Sequence, residues 1–312
     1  MEQKKYSLKD FSLNIFKGSA EKRIVEFQKY IDQSKSNSHE IYWLESKGSL
    51  SPNLEVLDKV TNRTSHMLSF VSNDYLGMSQ NKETIEAGIE ALKKYGTGVC
   101  ASPIIGGYLD IHRVLEEELA QHFGFEAALV FSSGYGANSG TVSALLGKED
   151  LAIIDSAVHT SIMDGLRGTN VKLIPHNDLE KYEFILKREQ SNYNTKMVIV
   201  DGVYSQDGDI GKIPEIKTLC EKYGALLLVD DAHGVGVIGE NGKGVLEHFN
   251  MLGKVDLLTG TFSKSFGAVG GFVVGSQKMI QYLRYYANTT VFSAAIVPQV
   301  TCSVLKYYSL LF

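Results

Sequence analysis

The sequence predicts an α/β protein built on a mostly parallel sheet sandwiched by helices. Two patterns carry that expectation. From Met67 onward, short apolar runs alternate with amphipathic stretches, and continuous apolar strands belong to sheets buried on both faces. Those runs also end in hydroxyl, carboxylate and imidazole residues, as expected where loops at strand carboxyl ends build a ligand site.

Taken in order, residues 1–66 read as a helical arm followed by loop. Ile24, Phe27, Tyr30 and Ile31 recur at helical spacing, and Asn62-Arg63-Thr64-Ser65 breaks the pattern. Strands are expected at 127–131, 151–154, 171–174, 197–200, 226–229, 257–260 and 272–274, from their apolar runs. Between them, helices are expected at 115–123, 138–146, 179–188 and 213–223. Residues 300–312 read as a final helix with Pro298 behind it, closed by no capping Gly or Asn. The expectation is therefore a C-terminally truncated chain: an arm at 1–72, a large domain at 73–295, and the start of a small domain at 296–312.

Composition narrows the function. Among 312 residues, 31 Lys and Arg face 36 Asp and Glu, a formal charge of −5, which argues against a nucleic-acid binder because phosphates demand clustered cations. Cys100, Cys220 and Cys302 have neither the number nor the spacing of a disulfide framework or zinc knuckle, and they suit a reducing compartment. Residues 1–10 are polar and carry no apolar run, so no signal peptide is expected. The apolar runs 225–229 and 307–312 are short against the ~20 residues of a membrane helix. A cytoplasmic protein without an integral membrane segment is expected.

Five segments hold the candidate chemistry. In Gly260-Thr-Phe-Ser-Lys264-Ser-Phe-Gly-Ala-Val-Gly-Gly271 a lysine follows a buried strand. It reads either as an exposed loop lysine or as a Schiff-base lysine whose confined amine has a lowered pKa. Thr261 and Ser263 beside it offer hydroxyls to an anion. In Leu228-Val-Asp230-Asp-Ala-His233-Gly-Val-Gly236 an apolar strand runs straight into a carboxylate. A metal would need further ligands that the spacing does not supply, so no metal is expected. A carboxylate aimed at a heterocyclic nitrogen, keeping a pyridine ring protonated as an electron sink, explains the placement better.

Val130-Phe-Ser-Ser133-Gly134-Tyr135-Gly136-Ala-Asn138 lies between a strand and a helix, where free N–H groups and the helix dipole favour an anion. It is neither a Walker loop nor a Gly-x-Gly-x-x-Gly turn, and by itself it reads equally as a structural turn. Ser156-Ala-Val-His159-Thr-Ser161 places an imidazole after a strand, as a structural residue or a group stacked on a planar cofactor. Asp201-Gly-Val-Tyr204-Ser205-Gln-Asp-Gly-Asp209 sends hydroxyl and carboxylate groups to the same rim. Together these supply an aldehyde-trapping amine, a ring-nitrogen carboxylate, a phosphate cradle and a stacking imidazole, the requirements of pyridoxal 5′-phosphate.

From Ser72-Asn-Asp-Tyr-Leu-Gly77 through Val291-Phe-Ser-Ala294 the chain resembles the α-oxoamine synthases, which are fold-type I, pyridoxal-phosphate-dependent transferases. The Asp-Asp-Ala-His-Gly and Gly-Thr-Phe-Ser-Lys-Ser segments, with His233 and Lys264 31 positions apart, are specific in combination. They look most like the bacterial serine palmitoyltransferase branch, beside the 8-amino-7-oxononanoate synthases and 2-amino-3-ketobutyrate ligases. The resemblance makes 73–295 the cofactor-binding domain. It implies a Schiff base on Lys264, Asp230 on the ring nitrogen, His233 on the ring hydroxyl, and His159 stacked on the ring and steering the substrate. Ser133, Gly134 and Tyr135 would hold the phosphate with Thr261 and Ser263, while Ser205 serves the ring-hydroxyl region and Asn73 touches substrate.

Also implied are a homodimer with shared active sites, in which Ser293 reaches the partner subunit's phosphate, and a decarboxylative condensation of a small amino acid with an acyl thioester on CoA or carrier protein. Sphingolipid biosynthesis is the setting that the branch suggests. An aminotransferase on the same fold, or a catalytically impaired fragment or subunit, is the alternative. Two departures stand out. Pro103, in Gly98-Val-Cys-Ala-Ser102-Pro103-Ile-Ile-Gly106-Gly107, occupies the place of a family arginine. The family's small domain, with the arginine that pairs with the amino acid carboxylate, is nearly absent.

Overall fold

The computed structural model describes residues 7–11, 16–36, 42–58 and 62–311. The first six residues of the polar N-terminus and Phe312 at the apolar end lie outside the described residues. Two compact units divide the chain, Met1–Ser72 and Asn73–Phe312.

In the smaller unit the expected helix is α1 (Ala20–Ser36), where Phe27 and Tyr30 bring their rings 5.2 and 5.6 Å from Phe11. The expected loop after it is instead an antiparallel sheet of β1 (Glu45–Lys47), β2 (Asn53–Asp58) and β3 (Arg63–Leu68), in that order. Asn62 does mark a turn, at φ +52°, but the chain returns from it as a strand. The correction has a physical reason. Every residue of β3 is exposed, so its pairing leaves no alternation of apolar and polar residues to read. Only β2 shows that signal, turning Leu54 and Val56 inward.

The larger unit begins with α2 (Lys82–Tyr95) and α3 (Asp110–Phe123), of which α2 was not expected from the sequence. There follow β4 (Ala127–Phe131), α4 (Gly134–Leu145), β5 (Leu151–Asp155), α5 (Thr160–Gly165), β6 (Asn170–Ile174) and α6 (Leu179–Arg188). Next come β7 (Lys196–Asp201), α7 (Ile213–Tyr223), β8 (Leu226–Asp230), α8 (Val245–His248), β9 (Leu257–Thr261) and β10 (Gly271–Gly275). The unit ends with α9 (Gln277–Tyr286), α10 (Asn288–Val291) and α11 (Pro298–Leu311). Each of the seven expected strands is found, extended by a residue or two at most.

The seven strands form one sheet in the order β4-β10-β9-β8-β7-β5-β6. Strand β10 pairs antiparallel with both neighbours, and the remaining pairs are parallel. Its direction follows from loop length: 262–270 is too short for the crossover of about a dozen residues that a parallel return needs. The chain turns back as a hairpin, and that hairpin carries Lys264.

Successive strand residues face opposite sides of the sheet, so each all-apolar strand feeds two cores. Val198 and Val200 of β7 join Leu115, Phe123, Tyr182 and Ile216 on one face. Met197 and Ile199 join Val142, Ile162, Ile280 and Leu283 on the other. Helix α11 packs against α2 and α3 within this unit, and its Tyr307 ring lies 4.3 Å from Phe266, beside the lysine hairpin. Among the described residues, no helix is long and apolar enough to cross a membrane.

Candidate active site

A cavity of about 280 Å³ opens at the carboxyl ends of β4, β5, β7, β8 and β9. Its position follows from the topology: parallel strands deliver their C-terminal residues and the helix N-termini after them to one edge. Ten of the sequence-nominated residues line it, namely Ser133, Gly134, Tyr135, His159, Ser205, Asp230, His233, Thr261, Ser263 and Lys264.

The anion-binding end is built where β4 turns into α4. Ser133 caps the helix, its Oγ accepting the Gly136 N–H at 2.9 Å. The other N–H groups of that first turn remain for a ligand. A Cβ at Gly134 would sit 2.7 Å from Thr261 Cβ and Oγ1, and one at Gly271 would meet Gly134 Cα at 2.5 Å. Glycine is thus required for α4 to approach β9 and β10. The close approach sets two hydroxyls, Thr261 Oγ1 and Ser263 Oγ, 2.8 Å apart beside the helix N-terminus.

Lys264 projects from the hairpin after β9. The hairpin closes with the Gly267 N–H donating to the Lys264 carbonyl at 2.8 Å, and Gly267 holds φ +62° against Ser79. Burial lowers the Lys264 pKa, opposed by the charges of Asp230, Asp201 and Asp231. Among the described residues its Nζ makes neither a hydrogen bond nor a salt bridge, so a partly buried amine lines the cavity without a partner.

Three strands here end in aspartate, and their surroundings separate them. Asp155 of β5 is consumed locally, accepting from Ala157 N and Asn177 N at 2.8 Å each and pairing with His176 Nδ1 at 3.0 Å. Asp230 of β8 faces the cavity and accepts from Asn138 Nδ2 at 2.6 Å and from Ala232 N at 3.0 Å. Asp201 of β7 lines the same cavity, and its Oδ1 is buried without a hydrogen-bond partner. The fourth acid, Asp231, points away, fully buried, and accepts from Val245 N at 2.8 Å.

From Asp230 a polar chain runs to the imidazole of His159. Asn138 Nδ2 also donates to Ser161 Oγ at 3.0 Å, and Ser161 Oγ meets His159 Nδ1 at 2.7 Å. The Ser161 backbone N–H points at the same nitrogen, 3.3 Å away. An N–H requires an acceptor, so Nδ1 carries no proton and the ring presents Nε2–H. His233 uses Nδ1 to meet the Tyr75 hydroxyl at 2.7 Å, and that hydroxyl reaches Asn73 Oδ1 at 3.3 Å. Asn73 is thereby connected to the site through Tyr75 but does not line the cavity. Ser293 also lies outside it, 3.4 Å from Ser132 Oγ.

The sequence motifs contain Asn138, Ser161 and Tyr75 but give no reason to choose them. For Asp201 a signal exists, because it ends a buried strand just as Asp230 does. No group of three or more His, Cys, Asp or Glu among the described residues is arranged to hold a metal ion.

Burial pushes the pKa of His233 down to about 4, with Lys264 adding to the effect, and burial does the same to His122, also to about 4. An unfolded imidazole has its ordinary value near 6.5. Between the two values the unfolded chain binds more protons, so this stability is complete above about pH 6.5 and is lost as pH falls toward 4. The two histidines are expected to contribute a fall of roughly 1–3 kcal/mol to the urea-unfolding free energy between about pH 7 and pH 4.5, read as the difference from a variant lacking them, after discounting for solvent contact. The double variant His122→Gln, His233→Gln should lose that part of the slope, and an unchanged slope contradicts the assignment.

A partly buried amine with no hydrogen-bond partner thus shares a strand-end cavity with a buried carboxylate, an arrangement suited to enzyme chemistry. The family model for aminotransferase class I and II matches residues 65–309, and the chain belongs to that family. Over 242 residues it is 44% identical to a serine palmitoyltransferase of Sphingobacterium spiritivorum, covering 77% of this chain and 60% of that protein. It is 42% identical over 247 residues to an 8-amino-7-oxononanoate synthase of Alkaliphilus metalliredigens, covering 78% and 62%.

Among solved structures, a serine palmitoyltransferase of Sphingomonas wittichii matches with a TM-score of 0.87 at 32% identity, over 94% of this chain and 73% of its own. Another, described as SPT with PLP, matches with a TM-score of 0.80 at 35% identity, over 91% and 70%. The chain spans about six-tenths of the length of the curated relatives it matches.

Proposed function

We propose that the chain binds pyridoxal 5′-phosphate through Lys264 and serves the decarboxylative condensation of a small amino acid with an acyl thioester, in the manner of a serine palmitoyltransferase. One observation carries the reading: a partly buried amine with a lowered pKa and no hydrogen-bond partner shares its cavity with a carboxylate held by two N–H donors. The cavity suits the group in size and chemistry. Its volume of about 280 Å³ is that of a small-ligand pocket, and two buried oxygens, Asn138 Oδ1 and Asp201 Oδ1, still lack partners.

In this reading the first turn of α4, with Ser133, Gly134 and Tyr135, takes the phosphate together with the hydroxyls of Thr261 and Ser263. Asp230 faces the ring nitrogen, His233 and Ser205 serve the ring hydroxyl, and His159 covers the ring. When bound, pyridoxal phosphate supplies an aldehyde and a cationic ring that accepts an electron pair. The chain's own residues do the rest. Nζ of Lys264, its pKa lowered by burial, would take the α-proton of the amino acid. Asp230 holds a proton on the ring nitrogen, and the Nε2–H of His159 orients the substrate carboxylate.

We extend the reading to a homodimer in which Ser293, which lies outside its own cavity beside the exposed Phe292, completes the cavity of a second copy, and in which Asn73 touches substrate. A cytoplasmic setting accords with three free cysteines.

The test is release of free CoA from an acyl-CoA by the cofactor-loaded protein, with serine, glycine or alanine as the second substrate. Amino-acid-dependent CoA release is expected. The family model's description favours one second reading, an aminotransferase. Conversion of an amino acid to its keto acid with no thioester required would select it over condensation. Cofactor binding with neither reaction would leave this chain as a cofactor-holding part without turnover.

A further inference from the structure

Asp201 has no role in the reading above, yet it ends the strand beside that of Asp230 and lines the same cavity. The two residues end adjacent parallel strands and sit opposite each other in register, so their side chains leave the same face of the sheet. Both are buried, at 4% and 5% exposure. Two buried carboxyls at paired register positions repel each other as anions, which favours the pair keeping one proton.

Counting donors decides which acid holds it. Both oxygens of Asp230 receive an N–H, from Asn138 at 2.6 Å and Ala232 at 3.0 Å. Asp201 has one buried oxygen with none, and among hydrogen bonds only the backbone N–H of His159 favours its charged form. Negative charge settles where donors are supplied, and the proton is left on the acid short of them. Burial and the neighbouring Asp230 together push the Asp201 pKa up to about 9.

Other charged groups around it do not reverse this. Lys264 lowers the value while Asp155 raises it, and Tyr182 and Tyr204 also lie within electrostatic reach.

We propose that Asp201 is the proton-bearing partner of Asp230, a positioning residue that stays neutral so that Asp230 is the single anion facing the cofactor ring. The consequence reaches Lys264. With Asp201 charged, another counter-ion would raise the Nζ pKa; with it neutral, burial lowers that pKa against one opposing charge fewer. This rests on the cofactor reading for its purpose, but the shared proton is a property of the chain alone and is measured without cofactor.

The experiment uses Asp201→Asn, which keeps the shape of a neutral acid, beside Asp230→Asn. In the chain without added cofactor, carbon-13 NMR of labelled aspartate carboxyls should show a resonance still protonated at about pH 7 that Asp201→Asn removes. In Asp230→Asn the same resonance should titrate at lower pH, because the repelling charge is gone. With pyridoxal phosphate added, Asp201→Asn should bind within about threefold of the unmodified chain, and Asp230→Asn about tenfold more weakly.

The proposal is overturned if the resonance removed in Asp201→Asn titrates with ordinary carboxylates, or if that variant loses as much cofactor affinity as Asp230→Asn. Failure of the cofactor reading looks different. In that case no borohydride-fixed pyridoxyl label appears on Lys264 in any variant, while the carboxyl spectra still decide where the proton sits.

Discussion

Replacing Lys264 by Ala is expected to abolish the borohydride-reducible absorbance that the unmodified chain acquires with pyridoxal phosphate, and to lower amino-acid-dependent turnover by about 10³-fold or more. The size of the effect follows from what the amine does. In the proposed reading it is the nitrogen that joins the aldehyde and also the base that takes the α-proton, so one substitution would remove two functions. The hairpin itself should survive. Its closing bonds use the backbone of residues 262–270 and Ser265 Oγ, which donates to the Val235 carbonyl at 2.7 Å. Loss of an unpaired buried amine also relieves a desolvation cost, so a thermal melt without cofactor should show no loss of stability. A reducible band retained in Lys264→Ala would move the covalent site elsewhere.

Asp230→Asn is expected to bind pyridoxal phosphate about tenfold more weakly, yet to turn over about 10³-fold more slowly. An amide cannot hold a proton on the ring nitrogen, so the electron sink fails although the cavity keeps its shape. The local network can absorb the change. Asn138 Oδ1 has no partner, so rotating that amide presents an acceptor to the new Nδ2, at the expense of the bond from Asn138 to Ser161 Oγ. Stopped-flow spectra with an amino acid would show the carbanion signal lost in the variant. Normal carbanion formation would remove Asp230 from its role and leave the neutral-partner argument for Asp201 without a purpose.

The contrast between these neighbours explains how far the site was legible beforehand. Asp230, His233 and Lys264 could be chosen because each interrupts an apolar strand or a glycine-rich turn with a residue whose burial needs a reason. Asn138 and Ser161 could not, since polar residues at the start of a helix have ordinary structural uses. Their linkage from Asp230 to His159 exists only because α4 and α5 stand side by side over the sheet. Asn73 and Ser293 are a different case: neither lines the cavity of this chain.

The strand positions of the larger unit were already determined by composition, because a buried parallel strand must be apolar along its whole length. The smaller unit's sheet was hidden for the converse reason, since β3 is paired through its backbone while every side chain stays in solvent. What only the tertiary structure decided is which of four aspartates matter: Asp155 spent on His176, Asp231 turned into the protein, Asp201 and Asp230 opposed across two strands. A carboxylate's charge depends on the donors and charges around it in space, and those come from segments far apart along the chain.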